Sequence, residues 1–426
     1  MIKIRDGLWQ VLVVLFSLVA TLVQLKLSTL FLDSYFLGIL ALASIPLLLA
    51  NVISDFGIAN YLIHKTNIEI EELSAVYGLA FCMGVMASFC LIIVGGCLSY
   101  FYHDNSILYV TLACIPVVVL SCLISVSYAV ANSGMYFRVI SLSDIYSKLV
   151  LTLFLIIFFN LNLGIYSIAA AQFMSCLVKL FYLMSWSYKN FLFPRSKFIF
   201  KLSLAVDAIP FGISQLGSQL LNIVGQKVDE LILGKCLGVA ELGIYSIIKQ
   251  LLVAANGFIS APVRRLLMPV FSRGVSEEQF LSIYFKYLIG LTVFYGVFIV
   301  KPQITSFIFN NLKGYEIELS IFALAWLYRV SSGNLQSAYM VSRGRPGVEF
   351  RWNLIQTIFL SVMLFLSSFY ITALKQYSII LLSCNFLLVI YSSLYFNITK
   401  HSLLKYVWLM SLFYCSIYSL FNDLRC

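Results

Sequence analysis

Apolar stretches of about 20 residues follow one another from the N-terminus to residue 398, separated by short polar breaks. Each is long enough to cross the roughly 30 Å hydrocarbon layer, and an open strand edge cannot sit in lipid, so each predicts a helix. The pattern gives spans near 8–32, 36–62, 74–100, 106–130, 140–160 and 163–186, a basic linker at 187–203, and spans near 205–230, 239–263, 281–309, 317–342, 351–373 and 376–398. A shorter stretch, 403–421, reads either as a thirteenth span or as a helix lying in the interface. The run 8–32 is too long for the apolar core of a cleavable signal peptide.

The two halves repeat one another. Shifting residues 205 onward back by a fixed offset of 205 places Gly212 on Gly7, Leu242-Gly243-Ile244 on Leu37-Gly38-Ile39, and Ala255-Asn256 on Ala50-Asn51. Polar positions superpose as well: Ser17, Thr21 and Gln24 meet Asn222, Gln226 and Asp229. Six spans separate the copies, so both have the same orientation and are related by an axis along the membrane normal. The expected fold is an all-α multi-pass membrane protein of two six-helix lobes, parallel pseudo-two-fold repeats around a central cavity. The expected limits are 1–186 for the N-terminal lobe, 187–203 for a cytoplasmic linker, 204–400 for the C-terminal lobe and 401–426 for an extra helix or tail.

Composition agrees. Hydrophobic residues make up 61% of 426 and charged residues 11%, leaving no hydrophilic segment for a soluble domain. The net charge is +10, but its location says more. With Lys3 and Arg5 on one side, the loops of that side carry Arg138, Arg195, Lys197, Arg264, Arg343 and Arg345 among others; the opposite loops carry few, Lys235, Lys313 and Lys375 among them. This positive-inside asymmetry predicts a cytoplasmic N-terminus. Basic residues dispersed over short loops do not make a nucleic-acid surface. The ten cysteines form no CxxC pair, and the three histidines are far apart near span ends, so no metal or cofactor is expected. No GxSxG, paired-carboxylate loop or Walker phosphate loop is present, so neither an enzyme nor an ATP-driven pump is expected.

Candidate chemistry lies inside the spans. Gln215, Gln219, Asn222, Gln226 and Glu230 recur at helical spacing along span seven, a stripe that faces either partner helices or a hydrated cavity. Lys26, Lys179, Lys249, Lys286 and Arg329 also fall within apolar segments. A charge at mid-membrane costs about 2.5–3.5 kcal/mol on insertion scales, so such residues either reach the headgroups along their stems or serve a substrate. Acidic partners look scarce: Asp207, Asp229 and Glu230 belong to span seven, and Asp33, Asp55 and Asp144 sit at span ends. A net cationic cavity with amides suits an anionic amphiphile: Lys and Arg for phosphate or pyrophosphate, Gln215, Gln219, Asn222 and Gln226 for sugar hydroxyls. Pro46 in span two, and Gly57 opposite Pro262 under the offset, read either as hinges or as tolerated kinks.

Two blocks carry a family resemblance: Phe36-Leu37-Gly38-Ile39 with Asp55-Phe56-Gly57-Ile58, and Asp229-Glu230-Leu231-Ile232-Leu233-Gly234 with Leu242-Gly243-Ile244-Tyr245. They resemble Wzx-type polysaccharide-export flippases of the multidrug/oligosaccharidyl-lipid/polysaccharide exporter superfamily. The resemblance implies a V-shaped pair of lobes in the bacterial inner membrane. It also implies translocation of an undecaprenyl-pyrophosphate-linked oligosaccharide, an O-antigen or capsule-type repeat unit, from the cytoplasmic to the periplasmic leaflet. Membrane lipids, and a polymerase and chain-length regulator of the same pathway, are the implied partners. Relatives often carry Arg late in the first span, where Leu30 stands here; Lys26 is one turn earlier. Two other readings stay open, a cation-coupled drug or metabolite antiporter of the same superfamily and a membrane glycan polymerase or ligase. The first wants a protonatable acid deep in the N-terminal lobe; the second wants a large outer loop.

Overall fold

The computed structural model describes residues 4–55, 70–134, 136–189, 208–272 and 274–396, and among them the regular structure is entirely helical. In chain order the helices are α1 (Ile4–Phe31), α2 (Ser34–Asp55), α3 (Ile70–Tyr102), α4 (Asn105–Ala113), α5 (Ile115–Ser133), α6 (Phe137–Asn160) and α7 (Tyr166–Lys189). They continue with α8 (Ala208–Leu237), α9 (Val239–Ser272), α10 (Glu277–Val300), α11 (Pro302–Ile308), α12 (Glu316–Ser331), α13 (Asn334–Ser342), α14 (Pro346–Ser367) and α15 (Leu374–Tyr395). The chain divides into two compact units, Met1–Leu231 and Ile232–Cys426, and the division falls within α8.

Ten segments among the described residues are long and apolar enough to cross a membrane. Two of the twelve spans expected up to residue 398 are not among them, for identifiable reasons. In α8 the amide stripe and the charges of Lys227, Asp229 and Glu230 dilute the apolar run. Span ten is cut into α12, 16 residues long, and α13, 9 residues long. The stretch 403–421 and Gly57 lie outside the described residues.

The repeat is visible in the helices. Adding 205 to the limits of α1 gives 209–236, and α8 spans Ala208–Leu237; adding 205 to Ser34, the start of α2, gives Val239, the start of α9. The superposed side chains have like environments: Leu37 and Leu242, Ile39 and Ile244, and Ala50 and Ala255 are all buried. Packing repeats as well. In the first unit span four (α4/α5) packs on α2, α3 and α7, and α6 packs on α7. In the second, span ten (α12/α13) packs on α9, α10 and α15, and α14 packs on α15. The same four pairings therefore recur at equivalent places.

Span four is interrupted at Cys114, where Pro116, in the first turn of α5, cannot donate a backbone hydrogen bond to the preceding turn. The gap in span ten is at Ser332-Gly333, where Gly333 has φ 145°, a conformation side-chain-bearing residues rarely adopt. There the Tyr284 hydroxyl of α10 donates to the Ser331 carbonyl at 2.9 Å and accepts from Gln336 Nε2 at 2.9 Å. Backbone freed by the break is thus served by side chains, as a broken membrane helix requires. Arg264 of α9 and Glu349 of α14 add an ion pair at 2.7 Å. By contrast, α2 runs unbroken through Pro46, and α9 through position 262.

Candidate functional site

Three helices of the first unit turn a polar stripe of identical spacing toward a common space. On α5 the stripe is Ser121, Ile124, Ser125 and Tyr128; on α6 Asp144, Ser147, Lys148 and Leu151; on α7 Gln172, Ser175, Cys176 and Lys179. Each set is spaced three, one and three, which places four side chains on one helix face. With Ser17 of α1 they line a cavity of about 460 Å³. Helices α5, α6 and α7 pack on one another and α1 packs on α6, so the walls are the bundle itself.

The central contact is an ion pair: Lys179 Nζ donates to Asp144 Oδ1 at 2.7 Å, with both side chains about a quarter or less exposed, 22% and 26%. The same ammonium lies 5.2 Å from the ring centroid of Tyr128, within cation–π range. Beside it, the hydroxyls of Ser147 and Ser175 meet at 2.7 Å, and Ser175 also donates to the Ser147 carbonyl at 2.9 Å. Gln24 Nε2 of α1 donates to Thr152 Oγ1 at 3.0 Å, fixing α1 against α6 above this layer. Lys148 follows Asp144 by one turn, is half-buried, and its ammonium makes no hydrogen bond or ion pair among the described residues. Two ammonium groups and one carboxylate give the cavity a net positive charge.

Two sequence expectations change here. Asp144 is not at a span end: α6 starts at Phe137, so the carboxylate is two turns inside. Lys179 therefore has an acidic partner, and it comes from α6 rather than span seven. Lys148 is a further mid-span cation, on the same face of α6 as Asp144. Its signal was present in the alignment of the three polar stripes, each unremarkable alone.

Among the predicted substrate residues, Lys179 lines this cavity. Lys26 is half-buried on α1 and Gln219 half-buried on α8, while Gln226 is exposed on α8; the side chains of Gln215 and Asn222 are outside the described set. Glu230, at the end of that amide stripe, is buried and holds Lys227 Nζ through both carboxylate oxygens at 2.8 Å. In the second unit Lys249 is buried on α9 with its ammonium 5.8 Å from the Tyr245 ring. Arg329, half-buried on α12, lies 5.2 Å from the Trp326 ring. Lys286 is exposed on α10.

Residues 31–310, about two thirds of the chain, match the polysaccharide biosynthesis protein family. The chain belongs to that family. Among its relatives is the amylovoran biosynthesis protein AmsL of Erwinia amylovora, 23% identical over 340 residues, covering 78% of this chain and 86% of the relative. Another is the lipopolysaccharide biosynthesis protein WzxC of Escherichia coli K12, 20% identical over 373 residues, covering 83% and 73%. The fold is that of solved transporters. The lipid II flippase MurJ in an inward closed conformation matches with TM-score 0.62 at 13% identity over 100% of both chains. An inward-facing MATE family multidrug resistance transporter of the MOP superfamily matches with TM-score 0.61 at 14% identity, covering 94% of this chain and 96% of the other. The family and the fold thus agree with the resemblance read from the two sequence blocks.

Proposed function

We propose that this member of the polysaccharide biosynthesis family is a flippase for an undecaprenyl-pyrophosphate-linked oligosaccharide, an O-antigen or capsule-type repeat unit. It carries the glycolipid from the cytoplasmic to the periplasmic leaflet of the bacterial inner membrane, with its own N-terminus cytoplasmic. The observation that supports this reading most is the family match, joined to cationic side chains inside apolar spans of both halves, Lys148 and Lys179 in one and Lys249 and Arg329 in the other. An anionic head with a sugar chain needs ammonium and guanidinium groups together with amide hydrogen bonds, and its lipid tail stays in the bilayer. In this mechanism the protein works by alternating access, Lys26, Lys249, Lys286 and Arg329 meet the pyrophosphate, and the α8 amides meet the sugars. Chemistry on the glycan is left to other proteins of the pathway, the polymerase and chain-length regulator being the proposed neighbours.

The test is a deletion strain. Lipid-linked glycan should accumulate and be accessible to membrane-impermeant probes only from the cytoplasmic side; its normal appearance on the periplasmic side would refute the reading. A cation-coupled antiporter is the second reading, favoured by the position of Asp144 two turns inside α6. It predicts drug efflux that collapses with the ion gradient and survives loss of the glycan pathway.

A further inference from the structure

Lys148 sits 11 residues from the start of α6 and 12 from its end. At 1.5 Å per residue both distances are roughly 17 Å, which puts the residue near the centre of a layer about 30 Å thick. α6 is one of the apolar segments able to cross the membrane. From that depth a lysine stem does not carry its ammonium to the headgroups. The carboxylate one turn away carries a single negative charge for two ammonium groups, and its hydrogen bond goes to Lys179, at 2.7 Å. This centrally placed cation lines a cavity of about 460 Å³ to which serines and Gln172 contribute polar groups, within the roughly 300–1,000 Å³ usual for small-molecule sites.

The neighbouring groups complete a particular chemistry. Around the two ammonium groups, Gln172 presents an amide with both a donor and an acceptor. Asp144 Oδ1 takes the Lys179 bond, and the pair is held by the helix packing of α6 on α7. The Tyr128 ring lies 5.2 Å from the same ammonium and gives it a second contact. Asp144 thus works as an orienting group for Lys179, while Lys148 stays available to a ligand.

We infer that this cavity inside the first unit is a binding site for one oxyanion group of the translocated glycolipid, with Lys148 as its principal contact, Lys179 as the second and Asp144 as the positioning residue. The inference rests on the flippase reading for its ligand, and it assigns that ligand a station within the first unit. The shared chemistry is a doubly oxygenated anion, which the glycolipid can supply either as pyrophosphate or as the carboxylate of an acidic sugar.

Binding is measured on the purified full-length protein in nanodiscs, by calorimetry and thermal shift, with inorganic pyrophosphate and separately with glucuronate. Wild type should bind at least one of them, and Lys148→Gln should weaken that binding by about tenfold or more, the loss expected for a charge-assisted hydrogen bond, while Lys148→Arg retains it. Pyrophosphate binding that depends on Lys148 assigns the site to the lipid head; glucuronate binding that depends on Lys148 assigns it to a sugar acid. Binding of neither, or binding indifferent to Lys148→Gln, overturns the inference. If Lys148→Gln does not accumulate, Lys148→Met is the second neutral variant and is judged by the same criteria. The flippase reading is scored apart, by whether wild type restores periplasmic display of the glycan in the deletion strain. Restoration without Lys148-dependent binding removes the site and keeps the flippase; binding without restoration removes the flippase and leaves an anion site of other use.

Discussion

Lys179 of α7 and Asp144 of α6 hold each other at 2.7 Å inside the first unit, and the Tyr128 ring lies 5.2 Å from the same ammonium. Removing one charge of such a pair strands the other in a low-dielectric bundle, which costs more than removing both. Asp144→Asn should lower stability by about 3 kcal/mol, the low end for a buried pair because both groups keep some exposure. Asp144→Asn combined with Lys179→Met should recover part of that loss. Thermal melts of the detergent-solubilised variants measure it; a double variant as unstable as the sum of the singles would show that the pair is not coupled.

The hydroxyl of Tyr284 is the joint of the broken span ten, donating to the Ser331 carbonyl and accepting from Gln336 Nε2, each at 2.9 Å. Tyr284 and Gln336 are both essentially fully buried. Tyr284→Phe keeps the ring and strands a carbonyl and an amide at once, so it should destabilise the protein by about 2 kcal/mol. Tyr295→Phe is the comparison, since the hydroxyl of that residue makes a longer bond, 3.3 Å, to the Leu252 carbonyl. An equal melting point for Tyr284→Phe and wild type would contradict the assignment.

Gly333 cannot be replaced cheaply. A Cβ there would stand 2.3 Å from Trp352 Nε1, and φ is 145°. The Trp352 ring is stacked at 14° on Tyr391 and packed against Tyr395 and Phe396, so it has little freedom to retreat. Gly333→Ala should cost about 1–3 kcal/mol in backbone strain alone, with the clash added. The expected outcome is low yield of monodisperse protein, read by fluorescence-detected size exclusion. Gly347→Ala, where a Cβ meets nothing within 4 Å, should behave as wild type.

Between α3 and α4, Asp104 gives a pH-dependent contribution. Burial raises its pKa, but hydrogen bonds from the Tyr35 hydroxyl and from the Ser106 backbone and side chain outweigh this and hold the carboxyl below its ordinary value. A depressed folded-state pKa stabilises above the unfolded value, near 4, and that gain disappears as pH falls through the folded value. Tyr35→Phe should therefore cost about 0.5 kcal/mol at pH 7, small because the contact is exposed, and progressively less as pH falls through the folded value. Parallel melting curves for the two proteins from pH 7 to pH 3 would contradict the assignment.

Much of the fold is legible because lipid permits few alternatives. The 205-residue offset predicts the start of α9 from that of α2, and the buried pairs Leu37/Leu242 and Ile39/Ile244 follow. The breaks are less legible. Pro116 announces the one in span four, but Ser332-Gly333 carries no proline and is fixed by Trp352 from another helix. Similarly, the partner of Lys179 is 35 residues away on a helix whose start the hydropathy pattern places three residues late, enough to set Asp144 at the membrane edge. Lys148 escaped because its meaning depends on three helices together; a single helix offers only a polar residue in an apolar run.

The two breaks fall at different fractions of their spans. Span four divides after the 9 residues of α4, span ten after the 16 residues of α12. A rod jointed near one tip and a rod jointed past its middle have different lever arms, so equal torques swing unequal lengths. The halves therefore repeat as architecture and diverge as machinery, and any stroke that bends both spans would be lopsided from the outset.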